Sequence, residues 1–249
     1  SITGGTDYKE GDFTFNGNAS VKGTDAGTYN MELKPEDFQN TNDNYSKVTF
    51  VIVDGTLTIS KRNVTLTSGS DSQVYNGEAL TKKDVTVSGD GFAKDEGATY
   101  DVTGTITNVG KADNTFTYTL NKGTKAENYN ITPVEGKLEV TPVTDKVTVT
   151  ITGHKDSTTY DGEEHTVSGY DVKTSNNLYT EANFKFSGTS EVKGTDADTY
   201  NMGLNKDQFK NTSKNFTNVE FEVAEDGQLV ISKRNVTLTS GSDSQVYNG

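Results

Sequence analysis

The sequence contains no cysteine and no tryptophan, and its 249 residues include only three prolines and two histidines. The absence of cysteine excludes disulfide bonds and thiolate metal sites. No run of about 18 apolar residues is present, the length that a membrane-crossing helix requires. Hydrophobic residues make up only 30% of the chain, so any core must be divided into thin layers.

Positive charge is also scarce, with 23 Lys and Arg against 36 Asp and Glu and a formal net charge of −13. Proteins that bind nucleic acids cluster cations to neutralise phosphates, and helices that lie on membranes present a basic face. The composition therefore predicts no nucleic-acid partner and no membrane insertion of this segment.

Repetition is the strongest positive signal in the chain. Residues 59–77 and 231–249 are identical, at a displacement of 172 positions (231 − 59). A second set of matches, displaced by 171 (184 − 13), relates residues 1–62 to 143–234, and we name this repeat type A. Residues 63–142 are a diverged relative, type B, in which Val109 and Phe116 align with Val192 and Tyr200. Repeats of this length indicate a tandem array of structural units.

We predict four segments: an incomplete type A repeat at 1–62, a type B repeat at 63–142, a type A repeat at 143–234, and the first strand and turn of a further type B repeat at 235–249. A shifted register of 1–77, 78–162 and 163–249 is the alternative. In the first register 235–249 lacks partner strands, and we expect it to fray or to pair with the open first repeat of another molecule. We also expect the chain to be a fragment of a longer protein.

The local patterns favour β-structure. Val147, Val149 and Ile151 alternate with threonines, the period of a strand with one buried face. We predict an all-β, elongated tandem array of small two-layer β domains, sandwich or β-grasp-like. Each type A repeat should contain at most a single helical turn, at 34–38 and 205–209.

Two tripeptides combine a tyrosine with a turn-forming pair. Asn-Gly and Asp-Gly supply the positive φ of tight hairpin turns. We assign a structural turn to Tyr75, Asn76, Gly77, Tyr160, Asp161 and Gly162.

Other tyrosines are the candidates for ligand contact, because a phenol ring stacks on sugar faces and its hydroxyl donates a hydrogen bond. Tyr8, Tyr170 and Tyr179 lie outside the motifs that the type A and type B repeats share. They are the predicted contacts in a binding hypothesis.

No catalytic or metal centre emerges from the sequence. There is no Gly-x-Ser-x-Gly elbow and no paired carboxylate in an apolar setting, which predicts that the chain is not an enzyme. His154 and His165 flank Tyr160, but solvated histidines explain them without a metal. Acidic loops could offer oxygen ligands to calcium, although their spacing fits no known calcium loop. These loops contain Asp25, Asp71, Asp90, Asp95, Glu96 and Asp196.

Each repeat has the same ordered motifs: Tyr-[Asp/Asn]-Gly, then a Val and an aromatic residue, then Asn-[Tyr/Phe], and finally Gly-x-Leu-x-[Ile/Val]. This order resembles the MBG or YDG repeat domains of bacterial cell-surface adhesins of the Gram-positive type. In type B these residues include Asn128, Tyr129, Gly136, Leu138 and Val140, and in type A Asn215, Phe216, Gly227, Leu229 and Ile231. The resemblance covers essentially the whole chain. It implies an extracellular, cell-surface protein, anchored to the cell wall through parts outside this sequence.

The leading functional hypothesis is a structural stalk or spacer that projects an adhesive region from the wall. The alternative is that the repeats themselves bind host glycans or mucin weakly and multivalently. Other surface proteins are further candidate partners, and no cofactor is predicted.

Overall fold

The computed structural model describes residues 7–249, and their regular structure is β. The first six residues of the predicted range 1–62 lie outside the described part. Within it there is no α-helix, and the strands are short. They are β1 (Phe13–Phe15), β2 (Gly27–Asn30), β3 (Phe38–Asn40), β4 (Thr56–Ile59), β5 (Arg62–Ser68), β6 (Asp71–Val74), β7 (Val85–Gly89), β8 (Ala98–Val102), β9 (Gly110–Asn114), β10 (Phe116–Leu120), β11 (Tyr129–Val134), β12 (Gly136–Thr141), β13 (Val147–Gly153), β14 (Lys155–Thr159), β15 (His165–Ser168), β16 (Tyr170–Thr174), β17 (Phe184–Phe186), β18 (Glu191–Gly194), β19 (Thr199–Asn201), β20 (Phe209–Asn211), β21 (Val219–Glu225) and β22 (Gln228–Ser232).

The most regular strand, β13, shows how the alternation becomes structure. Val147, Val149 and Ile151 are at most 1% exposed, while the threonines between them are half-buried. Strand β13 pairs in parallel with β21 and antiparallel with β16. A central strand satisfies its backbone groups on both sides, and its branched apolar residues suit the covered face.

In residues 143–234 the strands form two mixed three-stranded sheets and two short ladders. The three-stranded sheets have the orders β16-β13-β21 and β14-β22-β19, and the ladders are β15-β18 and β17-β20. This topology agrees with the predicted small two-layer β domain.

The same topology returns in the type B repeat. Its three-stranded sheets have the orders β11-β5-β7 and β6-β12-β9, its ladder is β10-β8, and an isolated bridge joins Leu80 to Ile106 where the type A repeat has β15-β18. In 7–62 only the ladders β1-β3 and β2-β4 are present, as counterparts of β17-β20 and β19-β22. The prediction of an all-β tandem array of small domains is thereby confirmed.

The strand order corrects one detail of the sequence alignment. Strand β9 pairs with the last strand of its repeat, as β19 and β2 do. Gly110, the first residue of β9, has a φ of 154°, and Gly27, the first residue of β2, has 159°. Val109 therefore corresponds to Ala26 and Ala197, and its alignment with Val192 is wrong. The alignment of Phe116 with Tyr200 is also wrong, because Phe116 lies in β10 and Tyr200 in β19.

The chain folds as two compact units. Of the described residues, unit 1 comprises 7–71, 81–105 and 112–138, and unit 2 comprises 72–80, 106–111 and 139–249. The core of unit 1 contains Val64, Leu66 and Tyr129. The largest core of unit 2 surrounds Val149 and Phe209 and consists mainly of aromatic rings and valines. The predicted domain boundaries and their alternative register stay predictions.

Five 3-10 turns accompany the strands. Two of them, Pro35–Asp37 and Lys206–Gln208, confirm the predicted helical turns, and Phe209 directly after the second is 5% exposed. The sequence did not predict the other three, Glu10–Asp12, Glu181–Asn183 and Ala126–Asn128, so each type A repeat has two turns and the expectation of at most one is wrong. In the first two an acidic or amide side chain accepts from the backbone N–H three residues earlier, Asp12 from Lys9 at 2.6 Å and Asn183 from Thr180 at 2.8 Å.

The two Tyr-x-Gly turns have the expected backbone but a different setting. Gly77 and Gly162 have φ of 83° and 87°, conformations that a Cβ would strain. The strands on either side of each turn belong to different sheets, since β14 pairs with β22 and β15 with β18. The turns therefore connect two sheets, and the expected hairpin pairing is absent there.

The two identical segments, 59–77 and 231–249, differ in structure. Residues 235–249 form no strand, and Val236 and Leu238 are 78% and 93% exposed. In the first copy Val64 and Leu66 are 1% and 0% exposed. Within residues 7–249 nothing supplies the second copy with counterparts of β7 and β11.

Candidate functional site

Tyr179, a predicted ligand contact, is a core residue. It is 1% exposed, and its hydroxyl donates to the carbonyl of Asn183 at 3.2 Å and to Asn211 Oδ1 at 3.0 Å. Its ring meets Phe216 edge-on, with centroids 5.1 Å apart. Burial raises the pKa of Tyr179 to about 12. The Tyr179 ring is therefore not exposed, and its ligand contact stays a prediction.

Tyr8 occupies the same position of the type A repeat, since 179 − 171 = 8. Its hydroxyl donates to the carbonyl of Asp12 at 3.0 Å and to Asn40 Oδ1 at 2.8 Å, and its ring meets Tyr45 at 5.1 Å. The constant displacement of 171 implies this equivalence, so Tyr8 and Tyr179 are a shared feature of the type A repeat. Tyr8 is half-buried, and its ligand contact stays a prediction.

Tyr170 is also half-buried, with its ring edge-on to Phe186 and Phe209 at centroid distances of 5.2 and 5.5 Å. Burial raises the pKa of Tyr170. The three predicted tyrosines are thus held by aromatic packing, and they do not converge on one surface within either compact unit.

Among the turn tyrosines, Tyr75 packs edge-on against Phe216 at 5.5 Å. Tyr160 is 39% exposed, and its N–H donates to the carbonyl of Ser232. Both have structural contacts at the ends of their strands.

The two histidines have separate partners. His154 contacts the Ser168 carbonyl at 2.8 Å and Asp171 at 3.3 Å, whereas His165 contacts Asp161 at 3.0 Å. The hydrogen bond with Asp171, followed by that with Ser168, raises the pKa of His154. Residues 7–249 contain no group of three or more His, Asp or Glu arranged to hold a metal ion.

Several acidic side chains of the candidate calcium loops accept hydrogen bonds from the protein. Asp90 accepts from the Asn63 N–H at 2.8 Å, and Glu96 accepts from the Tyr129 hydroxyl at 2.6 Å. These contacts fasten loops to neighbouring strands.

A recurrent contact links the type A and type B repeats, and we take it as the candidate functional site. Asn128 of the type B repeat accepts a hydrogen bond from the Ala26 N–H at 2.7 Å and donates to Asp25 Oδ1 at 3.0 Å. Lys125 reaches the other oxygen of Asp25 at 2.6 Å. The hydrogen bond from Lys125, and then that from Asn128, lowers the pKa of Asp25. All four residues belong to unit 1.

The next pair of repeats makes the same contact within unit 2. Asn215 accepts from the Val109 N–H at 2.9 Å, and its Nδ2 donates to Asn108 Oδ1 at 3.0 Å. Asn128 and Asn215 each precede a buried ring, Tyr129 or Phe216. The buried ring fixes the asparagine, whose amide then satisfies an N–H of the preceding repeat. We name this arrangement the asparagine joint.

The sequence showed both halves of the joint without showing that they meet. The Asn-aromatic pair stood in the recurrent pattern, and Asp25 stood among the acidic loops. The available signal was the Asn-aromatic pair of every repeat, together with the loop that carries Asp25 and Asp196 in type A and Asn108 in type B.

A third loop of the same kind lies in the type A repeat of unit 2. Asp196 and Ala197 correspond to Asp25 and Ala26, and Tyr200 donates to the Asp196 carbonyl at 3.2 Å as Tyr29 does to Asp25 at 2.8 Å. Asp196 is exposed, whereas Asp25 is half-buried. The loop borders an open cavity of about 490 Å³, which is lined by Tyr160, Asp196, Ala197, Lys233, Arg234 and Val236.

No helix among the described residues has the length and apolar character that crossing a membrane requires. A family model, the MBG domain, matches residues 2–61, about a quarter of the chain. Neither a curated protein nor a solved structure matches the chain. The matched range coincides closely with the predicted incomplete type A repeat at 1–62. Residues 2–61 are therefore similar to the MBG domain, a repeat typical of bacterial surface proteins.

Proposed function

We propose that this chain is part of a stalk or spacer, in which tandem MBG-type repeats project an adhesive region from a bacterial cell wall. The single observation that carries the proposal is the asparagine joint. It recurs at both successive repeat pairs and satisfies a backbone N–H each time. A chain selected for reach gains from joints that limit bending, because each repeat in an array contacts only its neighbours.

The covalent connection supports the same function. Strand β4 ends at Ile59 and β5 begins at Arg62, so only Ser60 and Lys61 separate them. A flexible linker would require a longer glycine- and serine-rich segment. Such a short connection restricts the angle between consecutive repeats.

The proposal extends the MBG assignment to residues 143–234. In 7–62 the Phe13 and Phe38 rings have centroids 5.8 Å apart, and the equivalent Phe184 and Phe209 rings have 5.9 Å. The matched aromatic packing supports one domain type used more than once. The acidic net charge opposes self-association of many such copies on a crowded surface.

Small-angle X-ray scattering on residues 1–249 tests the spacer function. A compact globule of this length has a radius of gyration of about 18 Å, and we expect a value well above it with an elongated distance distribution. Asn215→Ala should broaden that distribution, whereas Asn177→Ala, at an exposed position, should not. A radius of gyration near that of a globule would contradict the proposal.

Glycan or mucin binding stays a prediction about partners. The packed settings of Tyr170 and Tyr179 give it no specific support. A glycan array with the full chain would show binding that is lost in Tyr8→Phe and Tyr170→Phe if the hypothesis holds.

A further inference from the structure

The loop at Asp196 and Ala197 is a docking surface whose partner is defined by the two occupied joints. We infer that it binds the Lys-x-x-Asn corner of a further type B repeat, the corner formed here by Lys125 and Asn128. The inference rests on the tandem arrangement of the proposed function. It names the binding partner of the Asp196 loop.

The loop is built for this contact. Tyr29 and Tyr200 hold Asp25 and Asp196 through the same hydroxyl-to-carbonyl hydrogen bond. In the first loop the Ala26 N–H and the carboxylate of Asp25 are both engaged by the type B repeat. Among the hydrogen bonds of residues 7–249, neither the Ala197 N–H nor the Asp196 carboxylate has a partner. An N–H and a carboxylate side by side fit an amide, which accepts from the first and donates to the second.

Charge selects the type B repeat as the occupant. Type B carries Lys125 three residues before Asn128, and this lysine pairs with Asp25. The type A repeat has Thr212 three residues before Asn215, which offers no charge to Asp196. The type B loop has Asn108 in place of the aspartate and receives the type A asparagine without an ion pair. Each loop therefore matches the repeat of the other type.

The chain that follows supports the same occupant. Residues 235–249 repeat residues 63–77, the opening of the type B repeat. Their start lies beside the loop, because Lys233, Arg234 and Val236 line the same cavity as Asp196 and Ala197.

Amide hydrogen exchange on an extended chain tests the inference. Residues 78–142 are appended after Gly249, so that 235–249 together with the extension make a complete type B repeat. We expect exchange at the Ala197 N–H to slow by about tenfold or more, as a new hydrogen bond of typical strength would require. Ala26 is the internal reference, because its N–H is already bonded in residues 1–249.

Substituting alanine for the appended copy of Asn128 should abolish the protection of Ala197 and leave that of Ala26 unchanged. Slowed exchange at Val236 and Leu238 reports that the added repeat has folded. If these amides remain unprotected, a longer extension by residues 78–234 replaces the first, and the same result is required of it. The inference is overturned if neither extension protects Ala197, or if protection survives the asparagine substitution.

This outcome is separate from the test of the spacer function. Scattering reports the dimensions of residues 1–249, whereas exchange at Ala197 reports one loop. An elongated particle with an unprotected Ala197 would reject the docking partner and retain the spacer.

Discussion

The hydrogen bonds of Tyr179 show how one side chain can connect separate segments of a small domain. Its hydroxyl connects the 3-10 turn at Asn183 to Asn211 at the end of β20, and its ring packs on Phe216. A buried phenol needs such partners, because an unsatisfied hydroxyl in a core is costly. The contact pattern repeats at Tyr8, which makes it a property of the type A repeat.

Tyr179→Phe tests this role. We expect a loss of about 1–2 kcal/mol in the free energy of unfolding, because the ring stays and the hydroxyl hydrogen shared between the Asn183 carbonyl and Asn211 Oδ1 is lost. Urea denaturation provides the measurement. The matched control is Tyr247→Phe at a position 92% exposed, for which no change is expected. An equal effect of both substitutions would contradict the structural role.

The raised pKa of Tyr179 predicts a loss of stability in alkali. The folded state holds the pKa near 12, against 10.0 for an unburied tyrosine. The protonated form is therefore favoured by folding. Its contribution is complete below pH 10 and disappears as the pH rises through about 12. The difference in urea midpoint between wild type and Tyr179→Phe should stay constant up to pH 10 and change above it. A constant difference throughout would show that Tyr179 ionises normally.

At the scale of elements, the strand patterns were predictable and their partners were not. The alternation around Val147 identified β13, because burial of every second residue leaves a periodic trace. It did not show that β13 lies between β21 and β16. The alignment of Val109 also failed, because loops of different length precede β9 and β19 and only strand pairing establishes which residues correspond.

The 3-10 turns give a second example at this scale. The turns after Lys34 and Asn205 were predicted from a proline and a capping residue. The turns around Asn183 and Asn128 depend on single side chains that fold back on the backbone or reach another repeat. A single amide leaves no periodic signal in the sequence.

The Asp25 joint should depend on pH and salt. Lys125 and Asn128 hold the pKa of Asp25 below 3.8. Its contribution is therefore present above pH 3.8 and is lost as the pH falls through the lower, folded value. Carboxyl NMR titration should show Asp25 ionising below 3.8, and Lys125→Met should move its pKa upward. Added salt should produce a smaller shift in the same direction, because the pair is partly exposed and is screened. An unchanged titration of Asp25 in Lys125→Met would contradict the joint.

At the scale of the whole molecule, residues 59–77 and their identical copy 231–249 allow one sequence to be compared in two structural surroundings. Leu66 is 0% exposed in β5, and Leu238 in the second copy is 93% exposed. Leu66→Ala should cost about 2–5 kcal/mol, the usual range for a buried leucine. Leu238→Ala should change the free energy of unfolding by less than about 0.5 kcal/mol. Urea denaturation of both variants measures the contrast, and similar losses would show that the second copy is packed.

The sequence by itself determined that the chain is all-β, that it is built from tandem repeats of two types, and that its turns need glycine at Gly77 and Gly162. These features are local or periodic. The alternation of apolar and polar residues indicates the strands, and backbone sterics require the glycines. Only the tertiary structure decided which strands pair, that Tyr8 and Tyr179 close their repeats, and that Asn128 and Asn215 meet the loops of the preceding repeats. The two copies of residues 59–77 give the physical reason. A strand is stable only when neighbouring strands satisfy its backbone and cover its apolar face, and the first copy has those neighbours within the described structure while the second does not.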